Sequence, residues 1–299
     1  MYFYIITFAL LFFTIAGFFR GVWWFSLLDF FRLQYAILAF FMILLGLSLG
    51  HFVAALLCFG IVALNFYRMR KFIPKISKSH SSHEKTIVSV NAHEKNGSPE
   101  KLEALIIEAN PHVLLVMEMT DDIEEALKEA LSHYEYKLSN PVRDGFRIVL
   151  YSKTPLIHDQ VTFYGPDDTP LLQAQTEING CLYQIYSAHP KPALNKKWYR
   201  ERHDYFSEIE KVITQEGLPT LVMGDFNSVP WETHFLQFLS NTGLKSSLSG
   251  HGYKITWPVY VPILGVPMDH ILLSKDIEYS GLRVGPYVGS DHHPISLSL

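Results

Sequence analysis

Asn91, Glu118, His189, Asp225 and Asn227 share one placement. Each stands at or just past the C-terminal end of an apolar run, in TIVSVN, HVLLVME, CLYQIYSAH and PTLVMGDFN. Two further polar pairs flank other runs: Asp269-His270 precedes ILLS, and Asp291-His292 precedes the end of the chain. If these runs are strands, their terminal side chains gather on one rim of a sheet. Neighbouring strands lie about 4.8 Å apart, so several carboxylates can reach one ion. The donors are carboxylate and amide oxygens with no thiolate, which points to Mg²⁺ or Mn²⁺ rather than a structural Zn²⁺. Taken singly, each residue has a plainer reading. Glu118 fits a helix cap or an edge-strand acid, GDFN a tight turn, and the segment around Asp291 an exposed polar turn.

The elements that would position these groups are readable from residue 86 onward. TIVSVN (86–91) and HVLLVME (112–118) read as strands. So do RIVLYS (147–152), LLQAQTEI (171–178), CLYQIYSAH (181–189) and PTLVMGDFN (219–227). MDHILLS (268–274), IEYSGLRVG (277–285) and HPISLSL (293–299) complete the set. Ser98-Pro99-Glu100 opens a helix, with Ser as N-cap, Pro at the first helical position and an acid in the first turn. DDIEEALKEALSH (121–133) reads as a second helix, and residues 198–217 as a long amphipathic one ending at Gly217. Many strands with few helices suggest stacked sheets flanked by helices.

The first part of the chain has a different composition. The formal charge of the 299 residues is −4, but residues 1–67 hold only Arg20, Asp29 and Arg32 as charged side chains. Residues 79–299 hold 18 Lys/Arg against 28 Asp/Glu, a charge of −10. An evenly mixed soluble globule is excluded, and a basic nucleic-acid binder is disfavoured. Cys58 and Cys181 supply no disulfide framework.

Residues 2–19 are uncharged and as a helix would span about 27 Å. The uncharged run 33–67 would reach about 52 Å as one helix, so it is expected to fold back near GLSLGH (46–51). The spacing predicts three transmembrane spans, with the Trp- and Phe-rich segment 20–32 lying along the headgroups. Residues 1–71 form the membrane anchor, 72–85 a polar linker and 86–299 a soluble domain. Arg68, Arg70, Lys71, Lys75 and Lys78 follow the last span, and the loop near residue 50 has no Lys or Arg. The positive-inside rule therefore puts the soluble domain in the cytoplasm, with Arg20 and Arg32 on the same side.

In chain order, Asn91, Met117-Glu118, Ala188-His189-Pro190, GDFN (224–227), Met268-Asp269-His270 and SDHHP (290–294) form a set. It resembles the endonuclease/exonuclease/phosphatase superfamily, which includes DNase I-like nucleases, inositol-phosphate phosphatases and bacterial sphingomyelinases. The resemblance covers residues 86–299. The N-terminal block with WW and DFFRLQ, the NGSPEKL helix start and TWP with PMDHILLS look like its membrane-anchored bacterial branch, the YafD-like proteins. The resemblance implies a four-layer α/β sandwich, two mostly antiparallel sheets flanked by helices, preceded here by N-terminal transmembrane helices. It also implies residence in the bacterial inner membrane, with the catalytic domain facing the periplasm, opposite to the charge rule.

The resemblance further implies roles. Glu118 is the main metal ligand, with Asn91 beside it and Asp291 close enough to join. Asp225 orients or deprotonates the attacking water, and Asn227 donates to a phosphoryl oxygen. His292 pairs with Asp269 beside the scissile phosphate, and His189 contacts the phosphate or protonates the leaving group. One departure stands out: the DNA-repair branch commonly has Asp two residues after the strand-1 Asn, and here that residue is His93.

Three functions follow. The first is a Mg²⁺-dependent phosphodiesterase or phosphatase tethered to the bilayer through residues 1–71 and acting on a lipid headgroup or envelope phosphate. The second is a nuclease of the same chemistry, disfavoured by the acidic domain. The third is a binding protein with a dead site. The one local basic cluster, Lys191, Lys196, Lys197, Arg200 and Arg202, fits either a phosphate contact or a solvated helix start. TWPVYVPILGVP (256–267), apolar and uncharged just before Asp269, either packs back onto the sheet or docks against the bilayer.

Overall fold

The computed structural model describes residues 2–19, 21–75, 85–141, 147–213 and 217–299. The N-terminal block is helical: α1 (Tyr2–Ala16), α2 (Trp23–Leu28), α3 (Arg32–Ser48) and α4 (Phe52–Met69), with single 3₁₀ turns at Asp29–Phe31 and Arg70–Phe72. The fold-back expected at 46–51 falls at Leu49–His51. The segments Trp23–Ser48 and Phe52–Phe72 are long and apolar enough to cross a membrane. The first helix is shorter than the sequence suggests. It ends at Ala16, which at 1.5 Å per residue gives about 22 Å. Leu10, Ala39, Met42, Cys58 and Ile61 form the core among these helices.

The strands are β1 (Thr86–Asn91), β2 (Val113–Met117), β3 (Tyr136–Ser139), β4 (Val149–Ser152), β5 (Ile157–Tyr164) and β6 (Thr169–Ile178). They continue with β7 (Cys181–Ala188), β8 (Thr220–Asp225), β9 (Lys245–Ser246), β10 (Asp269–Leu273), β11 (Ser280–Val284) and β12 (Ile295–Ser298). One sheet runs β11-β12-β1-β2-β4-β3 and the other β5-β6-β7-β8-β10-β9. Each is antiparallel apart from one parallel pair, β1/β2 and β7/β8. The apolar residues between the sheets, among them Leu115, Leu150, Ile185, Leu221 and Ile271, form the central core. α5 (Pro99–Ala109), α6 (Asp121–Ala126) and α7 (Lys128–Leu131) cover one outer face. α8 (Lys196–Ile213) and α9 (Thr233–Thr242) cover the other. This is the four-layer sandwich.

The topology makes one rim. The parallel pairs end together, so Asn91 and Met117 stand side by side, as do the ends of β7 and β8. β10 and β12 run antiparallel to β8 and β1, so their N-terminal ends reach the same rim, with Asp269 opposite Asp225. Gly224 allows the two strands there to approach. A Cβ on it would lie 1.9 Å from the Ala188 carbonyl oxygen, at φ +150°.

Several local expectations change. Helix 121–133 is broken at Leu127, and Thr120 caps it by accepting from the Ile123 N–H. Ser98 precedes α5 but makes no side-chain cap bond. The long helix runs Lys196–Ile213, and residues 214–216 next to Gly217 lie outside the described residues. The linker expected at 72–85 is not all tether. Phe72 is buried in the central core, and the Lys75 N–H donates to the Gly250 carbonyl at 2.7 Å. Residues 76–84, with the linker histidines and Lys78, lie outside the described residues, as does Arg20.

The helical block is not a free appendage. The Trp231 indole N–H donates to the Asp29 carbonyl at 2.7 Å, and the Gly21 N–H donates to the Tyr199 hydroxyl at 3.2 Å. Phe30, Met69 and Phe72 pack into the end of the central core. Arg32, counted above as a topological charge, is buried. Its guanidinium pairs with Asp29 and donates to Asn65 Oδ1 at 3.1 Å.

Candidate active site

The rim collects Asn91, Glu118, His189, Asp225, Asp269, Asp291 and His292 within one network of short contacts, and Asn227 follows from Asp225. Its centre is Asp225 Oδ2, which accepts from Asn91 Nδ2 at 3.2 Å. His189 Nε2 and His292 Nε2 each lie 3.6 Å from the same oxygen, beyond direct hydrogen-bond range. The other carboxylate oxygen of Asp225 accepts the Asn227 backbone N–H at 2.8 Å. Turn chemistry therefore fixes the acid: Asp, Phe and a left-handed Asn227 form a local loop that holds the carboxylate still.

Glu118 is half-buried, at φ +54°, just beyond β2. Its Oε1 accepts from Asn91 Nδ2 at 2.9 Å and lies 3.8 Å from His189 Nε2, while Oε2 accepts the Glu94 N–H at 3.3 Å. Asn91 thus turns its amide nitrogen toward both carboxylates, and its oxygen accepts the His93 N–H at 3.0 Å. To act as a metal ligand, that amide must turn over.

Asp269 and His292 form the expected pair: His292 Nδ1 donates to Asp269 Oδ2 at 2.9 Å. Both are buried. Burial alone lowers the imidazole pKa. The carboxylates of Asp269 and Asp225, the Asp269 hydrogen bond and the nearby Asp291 outweigh it and raise His292 to about 10. Burial raises the Asp225 carboxyl; His292 opposes this, and the Asp269 charge adds to it. In the chain freed of divalent cations by EDTA, His292 therefore carries both ring protons at pH 8. It loses one only as the pH rises toward about 10. Imidazole ¹⁵N NMR checks this, and a neutral ring at pH 7 would contradict it.

The histidine of the MDH motif has another task. His270 Nε2 donates to the Ser228 carbonyl at 2.8 Å, among Phe226 and Phe235. Burial pushes its imidazole down to about 4, so it is a neutral strut behind Asn227-Ser228.

Asn227 Nδ2 donates to the Pro190 carbonyl at 2.9 Å, and its second amide hydrogen can still reach a substrate oxygen. Asp291 is partly exposed. Its Oδ2 accepts the Trp257 indole N–H at 3.0 Å, and Oδ1 lies 3.5 Å from His93 Nδ1.

Sequence reasoning did not place His93 in the site. It stands between Asp291 and Glu118 Oε2, 3.6 Å away; its position two residues after Asn91 was the available signal. Trp257 was likewise read only as part of an apolar loop. Three of the five members of the basic cluster after His189 are paired, while Lys196 and Arg200 are exposed. Lys191 and Lys197 both reach Asp167, and Arg202 is buried against Glu232 and the Asn227 carbonyl. Arg202 supports the GDFN loop from behind and is not open to a phosphate.

The donor set suits a hard divalent cation. Asp225 and Asp269 each offer a carboxylate oxygen within 4.8 Å of the other and of a His292 ring nitrogen, which could ligate only after losing its proton. Asp269 Oδ1 is buried without a hydrogen-bond partner, and Glu118 brings a further charge to the open side. Such a concentration of carboxylates is relieved by a cation.

Comparison with known proteins bears on the fold and the family. No curated protein matches the sequence. Among solved structures, the D. rerio TDP2 complex with a single-strand DNA product superposes with a TM-score of 0.59 at 15% identity, over 73% of this chain and 99% of that one. The human Nocturnin catalytic domain with bound sulfate gives 0.56 at 16%, over 72% and 93%. An endonuclease/exonuclease/phosphatase family protein from Bacteroides thetaiotaomicron gives 0.58 at 15%, over 74% and 96%. At these identities the likeness is one of fold. A sequence model of the Endonuclease/Exonuclease/phosphatase family, however, matches residues 88–292, from β1 through His292. The chain therefore belongs to the endonuclease/exonuclease/phosphatase family, whose members are metal-dependent phosphoesterases and nucleases.

Proposed function

We propose that the protein is a membrane-anchored, Mg²⁺- or Mn²⁺-dependent phosphoesterase hydrolysing a phosphodiester or phosphomonoester. The observation that carries this is the convergence of His189, His292 and Asn91 on Asp225 Oδ2, beside Glu118. Glu118, with Asn91 and Asp291, would hold the ion, because this side of the rim is the more open and offers oxygen donors. Bound there, the ion would neutralise charge on the phosphoryl oxygens and acidify water. Asp225 orients the attacking water and takes its proton. Asn227 donates to a phosphoryl oxygen, and His292, held by Asp269, faces the same phosphate as a cation. His189, next to both Glu118 and Asp225, donates to the leaving oxygen.

The helices α1, α3 and α4 serve as the anchor in the bacterial inner membrane. Large apolar side chains such as Ile5 and Phe8 of α1, Phe41 and Leu44 of α3, and Leu56 and Phe59 of α4 are exposed, more apolar surface than water tolerates well. The catalytic domain stands on the same side as residues 21–31, since both Gly21 and Asp29 bond to it.

A substrate panel on the full chain tests the activity: bis-p-nitrophenyl phosphate, p-nitrophenyl phosphate, plasmid DNA and phospholipid vesicles, each with Mg²⁺ or EDTA. Turnover of an ester or a lipid that requires Mg²⁺ and leaves plasmid intact is the expected result. Cleavage confined to plasmid would make it a nuclease. Inertness toward all four, with no Mn²⁺ bound, would make it a binding protein.

A further inference from the structure

The loop between Thr256 and Pro267 packs onto the core only at its base, through Val266 and Trp257, and its tip stands clear. Its base is closed, with the Trp257 and Val266 backbones exchanging hydrogen bonds at 3.0 and 2.6 Å. The base is also tied to the site. Thr256 Oγ1 accepts the Met268 and Asp269 N–H groups at 2.9 and 3.2 Å, and Trp257 donates to Asp291. The tip is the opposite. Tyr260, Val261, Pro262, Ile263 and Leu264 are all exposed, Ile263 by 80% and Tyr260 by 62%. Exposed apolar side chains on a loop stiffened by Pro258, Pro262 and Pro267 need an apolar partner.

The location of the tip identifies that partner. Gln34, in the first turn of α3, donates from Nε2 to the Ile263 and Gly265 carbonyls at 3.2 and 3.3 Å. Ile37 and Leu38, the next outward apolar residues of α3, lie about one turn, or 5 Å, further along. The tip thus continues the outward apolar surface of the helical block at its polar end. Tyr260 also meets Tyr287, hydroxyl to hydroxyl at 3.4 Å, and Lys101 lies over the Tyr287 ring. Tyrosine beside lysine at the edge of an apolar surface suits the headgroup layer.

We propose that the tip Tyr260–Leu264 is seated in the headgroup layer of the bilayer that holds α3 and α4, and that the rim takes its phosphoester from a lipid of that leaflet. The proposal rests on reading residues 1–71 as an anchor and the rim as a phosphoesterase, and it names the substrate class. A tip fixed in the interface at one end and bonded to Asp269 and Asp291 surroundings at the other holds the rim against lipid headgroups. Soluble esters need no such seat.

The experiment uses the full chain in phospholipid nanodiscs, with Cys181→Ser to remove the exposed native thiol. An environment-sensitive dye is placed at Ile263→Cys, or at Ile107→Cys on the outer face of α5 as control. Lipids carrying a nitroxide near the headgroup should quench the dye at 263 and spare it at 107. Aqueous iodide should do the reverse. Equal iodide quenching at both positions overturns the docking. In parallel, Ile263→Ser with Leu264→Ser should slow hydrolysis of bilayer phospholipid at least about tenfold and leave bis-p-nitrophenyl phosphate unchanged. Equal loss on both substrates would make the tip a support of the site and overturn the lipid assignment. A chain that does not enter nanodiscs refutes the anchor reading. A docked tip with no ester hydrolysed refutes the enzyme reading and, with it, the lipid substrate.

Discussion

Glu118→Gln abolishes Mg²⁺-dependent turnover while the protein keeps its fold and its place in the membrane. The glutamine keeps the shape of the side chain and one oxygen that can accept from Asn91 Nδ2 or the Glu94 N–H, the two bonds that orient Glu118. It removes the charge that Glu118 brings to the open side of the rim, where the nearest imidazole nitrogens, of His93 and His189, stand 3.6 and 3.8 Å away. Charge stabilisation by a metal is worth several kcal/mol at the transition state, so the expected fall is at least about 10³-fold in kcat/KM. The check is a Mg²⁺ titration of activity, with Mn²⁺ binding by calorimetry and circular dichroism to confirm folding. Wild-type turnover at the wild-type Mg²⁺ requirement would remove Glu118 from the site and shift the ion to the Asp225, Asp269 and His292 group.

The site was legible because its residues are announced by strand ends, and strand ends are announced locally. Apolar runs such as TIVSVN and HVLLVM give their direction and their last residue without tertiary information, and the parallel pairing of β1 with β2 and β7 with β8 does the rest. What was not legible is what depends on contacts between distant segments. β5 is an edge strand with its residues exposed or half-buried, so IHDQVTFY lacks the apolar run that marked the others. β9 is two residues long and exists only by pairing with β10. α9 was left unassigned although its Phe235 and Phe238 follow a helical period. Arg202 looked like a surface cation because it lies among others. Its burial follows from Glu232, thirty residues away, and nothing in the local pattern records that pairing. The docking of Phe30, Met69 and Phe72 onto the sandwich was hidden for the same reason: an apolar residue in an apolar block gives no sign that its neighbour is protein.

Asp225→Asn and His292→Ala each lower kcat by at least about 10²-fold, and together they lower it little more than the worse of the two. The geometry sets both expectations. Asn at 225 can still accept the Asn227 N–H through its oxygen, so the GDFN loop survives, but it cannot take a proton from water. Ala at 292 leaves Asp269 buried without its imidazole and removes the cation that faces Asp225 Oδ2. Both changes strike one cluster and one transition state, and a group that depends on its neighbour's charge loses its value when the neighbour goes. Asp269→Asn isolates the electrostatic part. The ring keeps an acceptor for Nδ1–H but not the charge that raises its pKa, so activity should lie between that of the wild type and His292→Ala, with the alkaline limb of the pH–rate profile moved toward neutrality. Steady-state kinetics on a small soluble ester read all four variants without the membrane. If the double substitution instead multiplies the single losses, Asp225 and His292 serve separate steps. The shared oxygen at the centre of the rim would then be a matter of packing rather than of catalysis.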